Sequence, residues 1–138
     1  MVVNGNKILV VKRKNPGEAR LKDLLSIGIG GHINPEDLGY GNIVDNAALR
    51  ELKEETTYSD SMFSERIGFL NLDSTPVDRV HFGVVICEEL CEEVEIKDED
   101  LEGSFINISE IPNLIGKMEG WSRILAEKIA KGEINFFY

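Results

Sequence analysis

Apolar and polar positions alternate along the chain in short strand-like runs, interrupted by turn residues and by two longer stretches of helical spacing. Met1-Val2-Val3 and Ile8-Leu9-Val10-Val11 flank Asn4-Gly5-Asn6, which predicts a hairpin over Met1–Lys14. Asn15-Pro16-Gly17 breaks that pattern, and Leu24–Ile29 reads as a further strand ending in Gly30-Gly31. His32–Gly41 is loop-like and Asn42–Tyr58 has helical spacing. Met62–Leu72 and Arg79–Leu90 read as strands around Asp73-Ser74-Thr75-Pro76. An acidic loop over Glu92–Gly103 precedes a short strand at Ser104–Ile108. Ser109 is the expected cap of a short helix with Pro112 in its first turn. Ile124, Leu125, Lys128 and Ile129 give Trp121–Lys131 an amphipathic helical pattern. Strands interleaved with helices, without a repeat or linker, predict one α/β domain over residues 1–138 with a mixed sheet.

Charge narrows the partners. The chain carries 15 Lys+Arg against 25 Asp+Glu, a net −10. Such a chain repels a phosphate backbone, so no nucleic-acid polymer is expected, and a phosphate-bearing small substrate needs a screening cation. Nine acids crowd Glu88–Glu102 against Lys97 alone, and a smaller excess lies in Asn42–Tyr58. Two cysteines, Cys87 and Cys91, make no disulfide framework or zinc-ligand pattern; they read as a semi-buried pair at a strand end. No apolar run reaches the ~20 residues of a membrane span and no signal peptide is visible, which predicts a soluble, cytoplasmic chain without a membrane partner.

The chemistry concentrates in Arg50-Glu51-Leu52-Lys53-Glu54-Glu55. At about 100° and 1.5 Å per residue, Glu51, Glu54 and Glu55 share one helical sector within roughly 6 Å along the axis. Val44, Ala47 and Ala48 fall in the same sector, while Asn46 and Lys53 fall on the opposite, wet side. Like charges so placed repel by a few tenths of a kcal/mol per pair, and a hard divalent cation reverses the sign. A solvated helix face is the competing account; it fits poorly with carboxylates that continue an apolar face.

Here the chain resembles the Nudix (MutT-like) hydrolases, whose signature is G-x5-E-x7-R-E-U-x-E-E-x-G-U, with U bulky and apolar. Arg50, Glu51, Leu52, Glu54 and Glu55 occupy the R-E-U-x-E-E places. The hairpin ending in Lys12-Arg13, the Gly30-Gly31 strand end and the Trp121 helix are similarly arranged. Two departures stand out. Asn42 lies where the signature's first glutamate is expected; Gly30 followed by five residues instead reaches Glu36, with 13 residues between it and Arg50. An insertion around Asn34–Gly39 accounts for this, leaving Glu36, Asp37 or no residue in that role. Thr57 replaces the closing glycine, so the helix is expected to end differently.

The resemblance implies a Nudix-type α/β/α sandwich and metal-dependent hydrolysis of the pyrophosphate bond in a nucleoside diphosphate linked to another group. It implies Mg²⁺ or Mn²⁺ held by Glu54 and Glu55, Glu51 as ligand or general base, and Arg50 as the partner that orients a glutamate. The Gly31 carbonyl is a further candidate ligand. Glu99 and Glu102 in the acidic loop are candidates for an extra ligand or base, set against a merely solvated loop. Arg13, with Lys14, Arg20 and Lys22, is a candidate basic rim for the substrate, and His32 a candidate phosphate contact. His81 reads as a core or sheet-face residue. The alternative function is a catalytically quiet Nudix-like domain that binds a nucleotide or a protein. A Ca²⁺ module ranks last because no EF-hand spacing is present. A homodimer through the hairpin or an exposed strand is compatible with the pattern.

Overall fold

The structure, a computed structural model, describes residues 1–14 and 23–136. Its strands are β1 (Val2–Asn4), β2 (Lys7–Arg13), β3 (Leu25–Ile27), β4 (Ser61–Asn71), β5 (Phe82–Leu90) and β6 (Leu101–Asn107). Among the described residues there are two α-helices, α1 (Ile43–Glu55) and α2 (Gly120–Ala130), and several short 3-10 turns. The expected hairpin forms, with Asn4 paired to Lys7 across Gly5-Asn6 and Gly5 at φ +54°.

Register explains the sheet. Ile8 of β2 lies between Val3 of β1 and Ile106 of β6; Val10 lies between Ile27 of β3 and Ser104 of β6. One edge of β2 is therefore taken by β6, and the other is shared by β1 and β3. Next to β1 runs β5 in parallel, and β4 pairs antiparallel with β5. The sheet is mixed, as expected. Both hairpin strands lie inside it, so the hairpin offers no free edge for dimerisation.

Strand alternation sends successive residues to opposite faces. Val3, Ile8, Val10 and Cys87 join Leu125 and Ala126 of α2 in one core. Val2, Leu9, Val11 and Leu90 join Leu52 of α1 in the other. The sheet is thus sandwiched between two helices. Burying a side chain of this size contributes about 1.5–3 kcal/mol, which makes the alternation decisive for both layers. At the junction of β1 and β3 the chain needs glycine: Gly28 sits at φ +89°, and a Cβ there would lie 2.8 Å from the Met1 Cα.

Several boundaries differ from the sequence pattern. Arg79 and Val80 belong to a 3-10 turn, Asp78–Val80, rather than to β5. The Thr75 hydroxyl donates to the Asp78 carboxylate (2.8 Å) and accepts from the Asp78 N–H, which winds that turn. β6 begins at Leu101 because Lys12 and Arg13 extend the ladder, shortening the acidic loop. Asn107, not Ser109, precedes the 3-10 helix Ile108–Asn113, with Glu110 reaching back to the Asn107 N–H at 3.1 Å. α1 ends at Glu55, where the Thr56 hydroxyl donates to the Leu52 carbonyl (2.7 Å) and leaves the helix in an extended conformation. Cys87 is buried and Cys91 exposed, so they are not a matched pair; both are free. No helix among the described residues is long and apolar enough to cross a membrane. Asn15–Gly17, Arg20 and Lys22 lie outside the described residues.

Candidate active site

α1 starts at Asn42, whose side chain accepts from the Val44 N–H (2.9 Å). That satisfies one of the helix's unpaired donors and makes Asn42 the N-cap of α1. With Ala47 and Leu52 buried against the sheet, the Glu51–Glu55 turn is carried to the sheet's rim.

Arg50 organises the site. Its Nε and Nη2 donate to the two carboxylate oxygens of Asp37 at 2.8 and 3.1 Å, a bidentate pair. Nη1 donates to Glu51 (2.9 Å) and Glu54 (3.2 Å), and Nη2 also to the His32 carbonyl (2.9 Å). The Asp37 side chain is only 2% exposed. Its Oδ2 also accepts from the Asn34 N–H (2.7 Å), and together with the guanidinium this holds its carboxyl below the ordinary range. The same pairing pushes the Arg50 pKa up, chiefly through Asp37. Of the alternatives for the first acid, Glu36 is exposed, Asn42 caps α1, and Asp37 takes the arginine. Asn46 is not a wet-side residue. Its amide donates to the carbonyls of Asp37 (2.9 Å) and Tyr40 (3.3 Å), fastening the loop to the helix.

Gly31 lies close against the Glu51 side chain. A Cβ there would lie 1.9 Å from the Glu51 carboxylate carbon. Any other residue would displace Glu51 or the loop.

Glu55 carries the electrostatic strain. Its pKa is pushed up to about 7, first by burial, then by the Glu51 and Asp98 charges, with Arg13 opposing them. The acidic loop is folded onto the end of α1: the Lys97 and Asp98 N–H groups donate to the Glu55 carbonyl (2.8 and 3.4 Å), and the Thr57 N–H donates to the Glu95 carbonyl (2.9 Å). The loop acid that acts on Glu55 is therefore Asp98. Glu99 is exposed, and Glu102 stands opposite Lys12 in the β2–β6 ladder.

His32 and His81 meet at 3.1 Å between their Nε2 atoms. His81 Nδ1 lies 2.6 Å from the Val77 carbonyl, which can only accept, so that nitrogen carries a proton. In neutral His81 the Nε2 is then an acceptor, and His32 donates to it. This replaces the expected sheet-face role of His81. Among the described residues, no three acids or histidines stand gathered as a ready cage for an ion; Glu51 and Glu54 are instead drawn to one guanidinium nitrogen.

Comparison with known proteins decides the family. The NUDIX domain family model matches residues 1–129. The chain belongs to the Nudix family. A curated relative, YmaB of Bacillus subtilis (strain 168), is 29% identical over 120 residues, covering 80% of this chain and 58% of YmaB. The chain thus spans little more than half the length of that relative. The crystal structure of Tm1382, described as a candidate Nudix hydrolase, is 31% identical with a TM-score of 0.77, covering 94% of this chain and 67% of that one. The NUDIX domain of Shewanella oneidensis NrtR, solved with ADP-ribose, is 15% identical with a TM-score of 0.66, covering 96% and 84%. At that identity the likeness is one of fold.

Within the Nudix frame, sequence reasoning had missed Asp98, Asn46 and His81. Asp98 was hidden among equivalent acids. The other two act through partners that become neighbours only on folding, although the spacing of Asn46 from Arg50, one helical turn, was available as a signal.

Proposed function

We propose that this Nudix protein hydrolyses the pyrophosphate bond of a nucleoside diphosphate linked to another group, using Mg²⁺ or Mn²⁺. The observation that carries the reading is the α1 turn itself: Glu51, Glu54 and Glu55 on one face, with the Glu55 pKa pushed up to about 7, first by burial and then by its acidic neighbours. Carboxylates crowded against their own repulsion suit a hard cation, and the donor set is all oxygen. Glu51, Glu54 and Glu55 would hold the ion, with the Gly31 carbonyl as a further candidate ligand. When bound, the ion would neutralise phosphate charge and lower the pKa of water.

The chain's own residues do the rest. Asp37 fixes the Arg50 guanidinium, which orients the Glu51 and Glu54 carboxylates. Glu51 accepts a proton from the attacking water as its oxygen bonds to phosphorus and the bridging P–O bond breaks. Arg13, at the end of β2, offsets negative charge near Glu55. ADP-ribose, the ligand solved with the NrtR domain, is a nucleoside diphosphate joined to a sugar and heads the substrate panel.

A panel of nucleoside diphosphate derivatives assayed with Mg²⁺ and Mn²⁺ tests the reading. Cation-dependent release of two phosphate-bearing products is expected, and loss of that release in Glu54→Gln. Full activity in Glu54→Gln overturns the assignment of this helix. One observation favours the quiet-domain alternative: Arg50 occupies both Glu51 and Glu54. That alternative predicts nucleotide binding with no turnover.

A further inference from the structure

Outside the carboxylate turn, one uncovered surface among the described residues is an aromatic pair. Phe69 of β4 is 69% exposed and Phe82 of β5 63%, and their rings stack at 5.4 Å and 28°. Large exposed apolar groups set together mark contact sites rather than ordinary surface.

Register decides which face they occupy. Phe69 pairs with Val84, and Val84 shares its face with Phe82. The intervening Gly83 faces α2, since a Cβ there would strike the Trp121 ring, and its partner Leu70 lies in the α2-side core. Phe69 and Phe82 therefore lie on the α1 face. On that face, closer to the helix, Arg66 pairs with Asp45 of α1 at 2.6 Å. Beyond Phe82, Val84 is half-buried and Ile86 buried, so the face descends from the aromatic pair toward the helix.

The pair is also tied to the carboxylate turn. Gly31 lies against Glu51; His32, the next residue, gives its carbonyl to Arg50 and its ring to His81; and Phe82 follows His81. The aromatic step is thus joined to the carboxylate turn through the His32–His81 contact.

We infer that the Phe69–Phe82 step is the seat of the substrate's nucleobase, with the His32–His81 pair spanning the interval to the phosphates. The inference rests on the pyrophosphohydrolase reading and adds to it a place for the base. A flat ring matches the exposed aromatic faces, and stacking tolerates any base because every base has a π-face. The histidine pair supplies polar edges between the apolar step and the charged turn.

The test uses the full chain without added metal, and adenosine and ribose as probes, followed by saturation-transfer NMR. Adenosine is expected to bind and ribose not. Phe69→Ala and Phe82→Ala are expected to weaken adenosine binding by about five- to a hundredfold, while Met62→Ala, an exposed apolar change at the far end of β4, leaves it unchanged. Circular dichroism checks that each variant is folded, and Phe82→Leu serves as a milder change that keeps apolar bulk without the aromatic face. No adenosine binding in the unmodified protein, or binding unmoved by any of the three Phe variants, overturns the proposal. So does sedimentation showing a dimer that Phe82→Ala dissociates, since a second copy then covers the step. Adenosine binding that follows the pattern, together with absence of hydrolysis, sinks the hydrolase reading but leaves the platform standing. Hydrolysis with Phe-independent binding does the reverse.

Discussion

Two acidic regions of the sequence, unequal in charge, have different fates. In α1, Glu51 and Glu54 converge on Arg50, and Arg50 is itself clamped by a buried Asp37. In Glu88–Glu102 the acids disperse. Glu88 and Glu89 are buried in β5, with Glu88 accepting from the Ser64 hydroxyl at 2.6 Å. Glu93 pairs with Lys7 at 2.6 Å, and Glu102 stands over Lys12. Of that segment's acids, Asp98 bears on the charge of Glu55. Density of charge, then, does not make a site; a shared partner does.

The comparison can be broken most severely inside α1. Glu54→Gln is expected to lower kcat/KM by roughly a thousandfold, the scale of several kcal/mol of charge stabilisation. Gly31→Ala should approach it, because the added methyl and the Glu51 carboxylate cannot share the same space. Steady-state kinetics with a cation titration check both, and near-normal rates in Gly31→Ala would show that the loop yields without cost.

Asp37→Ala should come next. Freeing Arg50 from its buried partner removes support for the carboxylates rather than the carboxylates themselves, a loss of about 10–100-fold. Asp37→Glu is expected to recover part of it. A Glu36→Ala variant, by contrast, should behave as the unmodified protein.

The pH prediction is smaller and concerns Glu55. Its folded pKa of about 7 lies above the ordinary 4.5, so the folded state holds the proton more tightly than the unfolded chain. That contribution is fully present below about pH 4.5 and is lost as pH rises through 7. Thermal melts in chelator should show Glu55→Gln losing less stability than the unmodified protein across that window. Parallel curves would contradict the burial of Glu55.

Least of all should follow from Glu93→Gln or Glu102→Gln. These are surface changes in half-exposed or exposed positions, expected within about 0.5 kcal/mol in stability and with unchanged turnover. A large effect from either would mean that the second acidic region is organised after all.

Much of this was legible in the chain, and the reasons are local. The alternation of Val2 with Val3 and of Ile8 through Val11 specifies two buried faces, because strand geometry has a period of two whatever surrounds it. The hairpin follows from Asn4-Gly5, which supplies the positive φ its turn requires. The boundary errors are local too. Arg79 and Val80 have strand-like neighbours, and only the Thr75–Asp78 bonds turn them aside. Thr56 stops α1 through its own hydroxyl, a signal that a missing glycine does not reveal.

The sequence by itself determined the face on which Glu51, Glu54 and Glu55 stand, since a helix places residues three and four apart side by side without help from the rest of the molecule. It also determined the two-sided sheet on which that helix packs. Only the tertiary structure decided between Glu36 and Asp37, neighbours of similar charge that differ in which one meets Arg50, 13 residues away. It alone chose Asp98 from the acidic loop, and it alone joined His32 to His81, 49 residues apart. Those choices rest on where two distant backbones come to lie, and no local propensity encodes that position.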